Sequence, residues 1–303
     1  MATDQMAIVG DMFRSGFRLQ RNWSWSMATA FFFGEVGAGL FFISLFFDFL
    51  PGLILGLGLT VIGKTSGHMM HLGQPMRAWR AIVKLDRSWV SRGLLAIILF
   101  TGFGILHILD LAGLTFGLLP EALSLPVTVV AGVAAMVIMV YQGLAMSHSS
   151  AITLWSSGLM PVISFTYAIM CGISVMIVLA SDSVLAGRPG ALASLQMIEL
   201  GLAFYALVML ASLMHAASYG SKGGQQSVML LLRGPYAKWF ISLVIVVGLI
   251  LPATMIALSA GVPRMALPVA GALLIGYYSF RILIFKAAVF DPTMSFAPRS
   301  RRF

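Results

Sequence analysis

Residues 25–48 read WSMATAFFFGEVGAGLFFISLFFD, and the charged residues in this run are Glu35 and the terminal Asp48. A helix needs about 20 consecutive apolar residues to cross the hydrocarbon core of a bilayer. The run is long and apolar enough for one crossing, so it predicts a transmembrane helix that begins near Trp25. Similar runs recur along the rest of the chain.

The composition of the whole chain indicates the same class of protein. Of its 303 residues, 59% are hydrophobic and 10% are charged, and the mean hydropathy is +0.97. A soluble domain carries about 25% charged residues, so the charges here are too few to cover a globule with polar surface. The composition excludes a water-soluble domain and predicts an integral membrane protein.

Eight apolar runs have the length of a membrane span. They cover residues 25–48, 51–71, 93–111, 125–146, 159–180, 191–215, 236–260 and 265–290. The predicted fold class is an all-α membrane protein with eight transmembrane helices. We divide the chain into an N-terminal interfacial segment (1–24), a first half (25–148), a second half (149–290) and a basic C-terminal tail (291–303).

The segment before the first span is not expected to be a cleavable signal peptide, because arginines interrupt its apolar core and no small-residue cleavage site follows. Apolar residues alternate with these arginines over a few turns, which predicts an interfacial helix. The residues concerned are Met6, Ile8, Met12, Phe13, Phe17 and Leu19, with Arg14, Arg18 and Arg21.

The charges are distributed unevenly between the two predicted faces. The net charge is +9, and 17 of the 19 Lys and Arg fall on the face that holds both termini, leaving Arg188 and Arg264 opposite. The positive-inside rule therefore predicts that both termini lie in the cytoplasm, and the chain is expected in a prokaryotic inner membrane. Docking of a partner subunit would also favour positive charge on that face.

Ionisable residues inside the spans are candidates for function, because such groups are costly in a bilayer. Glu35 is predicted near mid-membrane, within a run of small residues that includes Gly39 and lets a helix or a flat ring approach closely. It is either a buried, hydrogen-bonded acid or a group in proton or quinone chemistry. Glu199 has a weaker case for function, and Lys64 is expected to extend its amine to the interface.

Metal and haem chemistry have little support in this chain. The single cysteine, Cys171, cannot hold an iron–sulfur cluster, which needs about four thiolates. A two-haem wire needs a histidine pair at each face, whereas only His107 lies toward the outer face. One inner haem stays open as an alternative, but we expect no metal or haem on this chain.

The stretch HLGQPMRAWR from His71 to Arg80 is the most specific segment. The histidine closes a span, and glycine and proline then turn the chain at the interface. An imidazole at this depth can donate to a carbonyl or take a proton near neutral pH. Oxidation of a quinol requires such a group, because a quinol loses two protons with its two electrons.

These residues resemble the signature of the NrfD/polysulfide reductase membrane-subunit family, which is related to the dimethyl sulfoxide reductase anchor. The segments that carry the resemblance occur in the family's order along nearly the whole chain. They are His71-Leu-Gly-x-Pro-x-Arg77-Ala-Trp79, Ser88-Trp89-x-Ser91-Arg92, residues 31–40, Tyr141-Gln-Gly-Leu, Trp155, Leu159-Met-Pro161, Gly172, residues 232–236, residues 248–252 and residues 278–287.

The resemblance implies two four-helix bundles, spans one to four with the quinone site and spans five to eight. It implies a menaquinone or ubiquinone cofactor, an iron–sulfur partner with four cubane clusters, and a molybdenum or tungsten bis-pterin catalytic subunit. Membrane lipid is a further expected partner, and nucleic acid is not expected. The predicted function is a quinone-reactive anchor that exchanges electrons between the quinone pool and the iron–sulfur partner.

The candidate site residues follow from the resemblance and from the residues themselves. By position, His71 and Tyr141 would hydrogen-bond the quinone headgroup, with help from Asn22. The predicted catalytic residues are His71 and Glu35. The predicted quinone-binding residues are Asn22, Trp23, Gly39, His71, Arg77, Tyr141 and Trp155, and the predicted partner-docking residues are Arg80, Lys84, Arg87 and Arg92.

The chain departs from the family pattern in three respects. Glu35 stands where many members have a small residue, and Trp23 lies in a segment where some members have a histidine. Many relatives also dock their partners on the outer face, whereas the charge count places this docking face in the cytoplasm. The other candidate functions are a haem-b anchor, a passive tether and a secondary transporter, although the prolines lie near span ends rather than at mid-membrane.

Overall fold

The structure is a computed structural model that describes residues 17–115, 119–180, 183–188, 190–259 and 262–291. Within these ranges, eight helices are long and apolar enough to cross a membrane, and the strands are two short pieces, which confirms the predicted fold class. The helices are α1 (Trp25–Leu45), α2 (Leu50–His71), α3 (Trp89–Leu111), α4 (Glu121–Ser147), α5 (Leu159–Ala180), α6 (Ala191–Gly220), α7 (Lys222–Leu232), α8 (Ala237–Ser259) and α9 (Pro263–Lys286). The strands are β1 (Arg18–Leu19) and β2 (Val289–Phe290).

A tight turn joins α1 to α2 and brings the two helices together. Asp48 has a φ of 49°, a left-handed conformation that aspartate tolerates better than most residues. Pro51 lies in the first turn of α2, where its missing N–H needs no partner. A Cβ atom on Gly37 would lie 2.7 Å from the Gly56 carbonyl oxygen, so only glycine allows this approach. The close packing sets α2 directly against α1.

The middle of α2 is wound as a π-helix from Leu59 to Lys64. Single turns of this type are often found at functional sites in other proteins. Here the buried residues of the segment are Thr60 and Lys64. The π-helical segment therefore includes a charged residue that is inside the protein.

The helices α1 and α5 form the centre of the molecule. In these two helices, 67% and 72% of the apolar stretch is buried, against 22% in α3 and 28% in α8. Gly39 lies where α1 and α5 approach, and a Cβ atom there would come within 2.6 Å of the Ala168 carbonyl carbon. Around this centre, α1 also contacts α2, α4 and α9, and α5 contacts α4, α6 and α9. The two-bundle arrangement stays a prediction.

The two ends of the described chain meet at one edge of the helices. β1 pairs antiparallel with β2, and the Gln20 side chain donates to the Phe285 carbonyl at 2.7 Å. Asp291 accepts from the backbone N–H groups of Thr153 and Gly223. We call this edge of the helices the basic edge. It is formed by the start of α1, the end of α2, residues 148–158, the start of α7 and the end of α9. The edge at the other ends of the spanning helices is called the opposite edge.

Two predicted segments outside the spans differ from expectation or lie beyond the described ranges. Residues 17–24 are not helical, so an interfacial helix is wrong for this part. Within it, Arg18 and Leu19 pair with β2 instead. The rest of the predicted interfacial segment, residues 1–16, lies outside the described residues. So do residues 292–303 of the predicted basic tail. The polar stretch after α2 forms an exposed 3₁₀ helix, Pro75–Lys84.

Candidate functional site

A buried ion pair joins the first and last helices about halfway along α1. Both the Glu35 carboxylate of α1 and the Arg281 guanidinium of α9 are 0% exposed, and Arg281 Nη2 lies 2.7 and 2.6 Å from the two carboxylate oxygens. Burying a charge is costly unless it is paired and hydrogen-bonded. The predicted site residue Glu35 therefore has its counter-ion inside the protein.

Two hydroxyl groups complete the surroundings of this pair. The Tyr277 hydroxyl, one turn before Arg281 on α9, donates to Glu35 and accepts from Arg281 Nε at 3.0 Å. Ser164 of α5 accepts from Arg281 Nη2 at 2.6 Å. Positions four apart lie on one helix face, which is why Tyr277 and Arg281 reach the same carboxylate. The cluster ties together three helices that are distant in sequence.

Sequence reasoning missed Arg281, Tyr277 and Ser164 as members of the site. Arg281 was counted among the positive residues of one membrane face, but its side chain is fully buried. An arginine inside an apolar run was itself the available signal, because such residues usually face the interior of a helix bundle. The sequence did not show which acid would pair with it.

Lys64 is the second buried cation, and the expectation that it would extend to the interface is wrong. Its side chain is 0% exposed, and Gly34 leaves the room for it, since a Cβ atom there would lie 2.9 Å from Nζ. Nζ lies 4.9 Å from the centroid of the Tyr141 ring and 5.7 Å from that of Phe31. It has no hydrogen-bond partner among the described residues.

A second polar side chain beside Lys64 is also incompletely bonded. Gln142 Nε2 lies 3.2 Å from the position a Gly34 Cβ would take and donates to the Phe31 carbonyl at 3.5 Å. Its Oε1 atom is buried and accepts no hydrogen bond from any described group. Lys64 thus offers its ammonium donors, and Gln142 one acceptor, to a polar ligand.

The same face of α2 leads from Lys64 to the basic edge. His68 and His71 follow Lys64 by four and seven residues, the spacing that places side chains on one helix face. The His68 ring packs edge-on to Phe31 at 6.3 Å, and His71 is half-buried at the end of the helix. His71 is therefore at the membrane edge, about 10 Å along the helix from Lys64.

The predicted residues Trp23 and Trp155 meet in an aromatic cluster next to this face. Their rings stack with centroids 5.1 Å apart, and Phe31 and Phe285 pack edge-on against Trp23. Trp155 Nε1 donates to the Ile284 carbonyl at 3.0 Å. The cluster forms an apolar wall between the Glu35–Arg281 pair and the basic edge.

The remaining predicted quinone residues differ in their surroundings. Tyr141 is buried and packs on Gly93, where any side chain would clash with its ring. Gly39 is buried at the backbone contact of α1 with α5. Asn22 and Arg77 are exposed, and Asn22 lines a surface depression at the basic edge together with Arg18 and Arg21. The structure therefore does not bring these two residues to the buried cluster.

Three of the four predicted docking residues, Arg80, Lys84 and Arg87, are exposed at the basic edge. Arg87 pairs with the neighbouring Asp86 at 2.8 Å. Arg92 is half-buried, stacks on Trp89 at 4.4 Å and donates to the Asp86 carbonyl at 2.7 Å. Arg92 thus helps to hold the loop that carries the other three.

No group of three or more His, Cys, Asp or Glu residues that could bind a metal occurs within the ranges that the structure describes. The expected lack of a metal on this chain stays a prediction. The buried cluster can instead hold charge and move protons, because it combines a carboxylate, a guanidinium, an amine and phenol groups in a low-dielectric interior.

Comparison with known proteins agrees with a membrane anchor. The family model described as DMSO reductase anchor subunit (DmsC) matches residues 48–275, well over half of the chain. Among curated proteins, no sequence matches this chain.

Proposed function

This chain belongs to the DMSO reductase anchor subunit family, and on that premise we propose that it is the quinone-reactive anchor of a multisubunit oxidoreductase. It would exchange electrons between the membrane quinone pool and an iron–sulfur partner, which connects to a molybdenum or tungsten bis-pterin catalytic subunit. The His71–Arg92 segments that resemble the NrfD/polysulfide reductase subunits support the same assignment.

One observation carries this proposal: Lys64 Nζ is buried without a hydrogen-bond partner among the described groups, beside the unpaired Oε1 of Gln142. A buried donor without an acceptor costs about 1–3 kcal/mol, so a position that keeps one is best explained by a ligand that supplies the acceptor. A quinone fits, because its oxygen can accept from Lys64 while the hydroxyl of a quinol can donate to Gln142.

The surrounding residues would handle the protons of the reaction. A quinol supplies two electrons and two protons when it is oxidised. The neighbouring Glu35–Arg281 pair includes a buried carboxylate that can take up a proton from the quinol. Low local dielectric strengthens each of these interactions.

The exposed charges of the 3₁₀ segment suit the docking of the iron–sulfur partner. Arg77, Arg80 and Lys84 project from the basic edge next to the end of α2. Such a positive surface attracts an acidic partner and raises the rate of encounter. The partner would then lie over the edge to which the Lys64–His71 face leads, which shortens the distance for electron transfer.

Replacing Lys64 tests the proposal in the assembled complex. The Lys64→Met variant should lower kcat/KM for quinol oxidation by about a hundredfold, because it removes the donor to the reacting oxygen. The control is Lys238→Met, the same change at an exposed lysine at the start of α8, which should oxidise quinol at the wild-type rate. Unchanged quinol oxidation in Lys64→Met would favour a passive tether.

A further inference from the structure

Helix α5 carries a line of polar side chains that the proposed quinone chemistry does not use. Ser164, Tyr167, Cys171 and Ser174 follow one another at intervals of three, four and three residues, which places them on one face of the helix. All four are at most 1% exposed. We call them the α5 polar line. It extends about 15 Å along the helix.

One end of the α5 polar line joins the Glu35–Arg281 cluster. Ser164 accepts a hydrogen bond from Arg281. The Tyr167 ring stacks on Tyr277 with centroids 4.4 Å apart and an angle of 9° between the rings. The Tyr167 hydroxyl is buried and has no hydrogen-bond partner in the part of the chain that the structure describes.

The other end of the line meets a second buried acid. Glu199 of α6 is 1% exposed and lies next to Ser174. Its Oε1 atom and the Ser174 hydroxyl are both without a hydrogen-bond partner among the described groups. Glu199 lies about 12 Å along α6 from the start of that helix at the opposite edge, and Gln196, also buried, precedes it by one turn on the same face.

Three buried oxygens along or next to this line, those of Tyr167, Ser174 and Glu199, lack a hydrogen-bond partner among the described groups. They support a function for the line in addition to its regular spacing. A polar atom buried in a membrane protein without a partner is costly, and such atoms commonly bind internal water. Water at Tyr167, Ser174 and Glu199 would connect hydroxyl and carboxyl oxygens from one end of the line to the other. Ionisable residues in spans are a frequent feature of proton relays.

We propose that the α5 polar line conducts protons between the Glu35–Arg281 cluster and the opposite edge, with Glu199 as the group that exchanges them near that edge. The inference rests on the proposed function, which supplies the protons. For each quinol oxidised, two electrons leave to the iron–sulfur partner at the basic edge and two protons leave along the line. The charges separate across the membrane, so the complex would conserve energy.

The first test measures protons in liposomes that contain the assembled complex and a trapped pH dye. A membrane-impermeant electron acceptor outside drives only complexes whose basic edge faces outward, so the opposite edge faces the lumen. The wild type should acidify the lumen in proportion to the quinol oxidised. Glu199→Gln should lower the protons released into the lumen per quinol by at least about tenfold, because the amide cannot carry a proton.

The matched control is Glu121→Gln, the same substitution at an exposed residue at the start of α4, which should keep the wild-type ratio. A wild-type complex that oxidises quinol without acidifying the lumen would overturn the proton route while leaving the proposed function intact. An unchanged ratio in Glu199→Gln would also overturn it. Absence of quinol oxidation in the wild type would instead count against the proposed function.

A second test measures protonation of Glu199 without quinol oxidation, so it also applies if the Glu199→Gln variant is inactive. Infrared difference spectra of the liposomes should contain a carboxyl band that Glu199→Gln removes. When the complex is reconstituted with its basic edge outward only, a step in lumen pH should change this band, and a step in outside pH should not. Ser174→Ala should leave the band and slow proton release into the lumen. A band that follows the outside pH would exclude exchange with the opposite edge.

Discussion

Arg281 and Lys64 are two buried cations with opposite surroundings. Both side chains are 0% exposed, and both lie near the Phe31 ring, at 5.6 and 5.7 Å from its centroid. Arg281 donates to Glu35, Ser164 and Tyr277. Lys64 donates to none of the described groups.

Burial alone therefore does not identify the role of a charge in a membrane protein. The planar guanidinium matches both oxygens of a carboxylate and can serve several acceptors at once, so Arg281 is satisfied by the protein. In the part of the chain that the structure describes, the Lys64 ammonium donates no hydrogen bond and lies over the Tyr141 and Phe31 rings, which compensate part of its lost hydration. The first cation is therefore expected to support the fold, and the second to bind a ligand.

The largest expected effect comes from breaking the satisfied pair. Arg281→Met should lower the free energy of unfolding of the purified chain by about 3–5 kcal/mol, because it leaves the Glu35 charge buried without a counter-ion. Unfolding can be followed by circular dichroism in a denaturing detergent. The double variant Glu35→Leu with Arg281→Met should recover part of this loss. Additive losses in the double variant would contradict a coupled pair.

A smaller loss is expected when one hydroxyl of the cluster is removed. Tyr277→Phe keeps the ring stacked on Tyr167 but removes the hydrogen bonds to Glu35 and Arg281, and it should cost about 1–3 kcal/mol in the same unfolding assay. The adjacent Tyr278→Phe is the control, since its hydroxyl bonds Thr29 at a half-buried position outside the cluster. Equal losses in the two variants would show that the cluster adds nothing.

The smallest change in stability is expected at the unsatisfied cation. Lys64→Met should lower the free energy of unfolding by no more than about 1 kcal/mol, because the substitution leaves no hydrogen-bond partner unpaired and fills a similar volume. The measurement is the same unfolding assay, run without quinone. A loss as large as that of Arg281→Met would mean that Lys64 supports the fold, which would remove the contrast between the two cations.

Much of the fold could be predicted from the sequence, and the candidate site only in part. The eight spans are visible because each is a local run of apolar residues, and Glu35 is conspicuous within such a run. Arg281 lies 246 residues later, and no local pattern links the two. Lys64 looked like an interfacial residue because of its distance from the end of α2, until the Gly34 contact showed where its side chain goes.

The bilayer as surroundings, the helical structure and the number of spans follow from the sequence alone, because hydropathy and helix length are properties of consecutive residues. Which charges are satisfied could be seen only in the packed helices. Pairing depends on how α1, α2, α5 and α9 rotate and approach, and that geometry is set by contacts such as Gly39 with Ala168. The same geometry aligned the α5 polar line with Glu199 and Arg281.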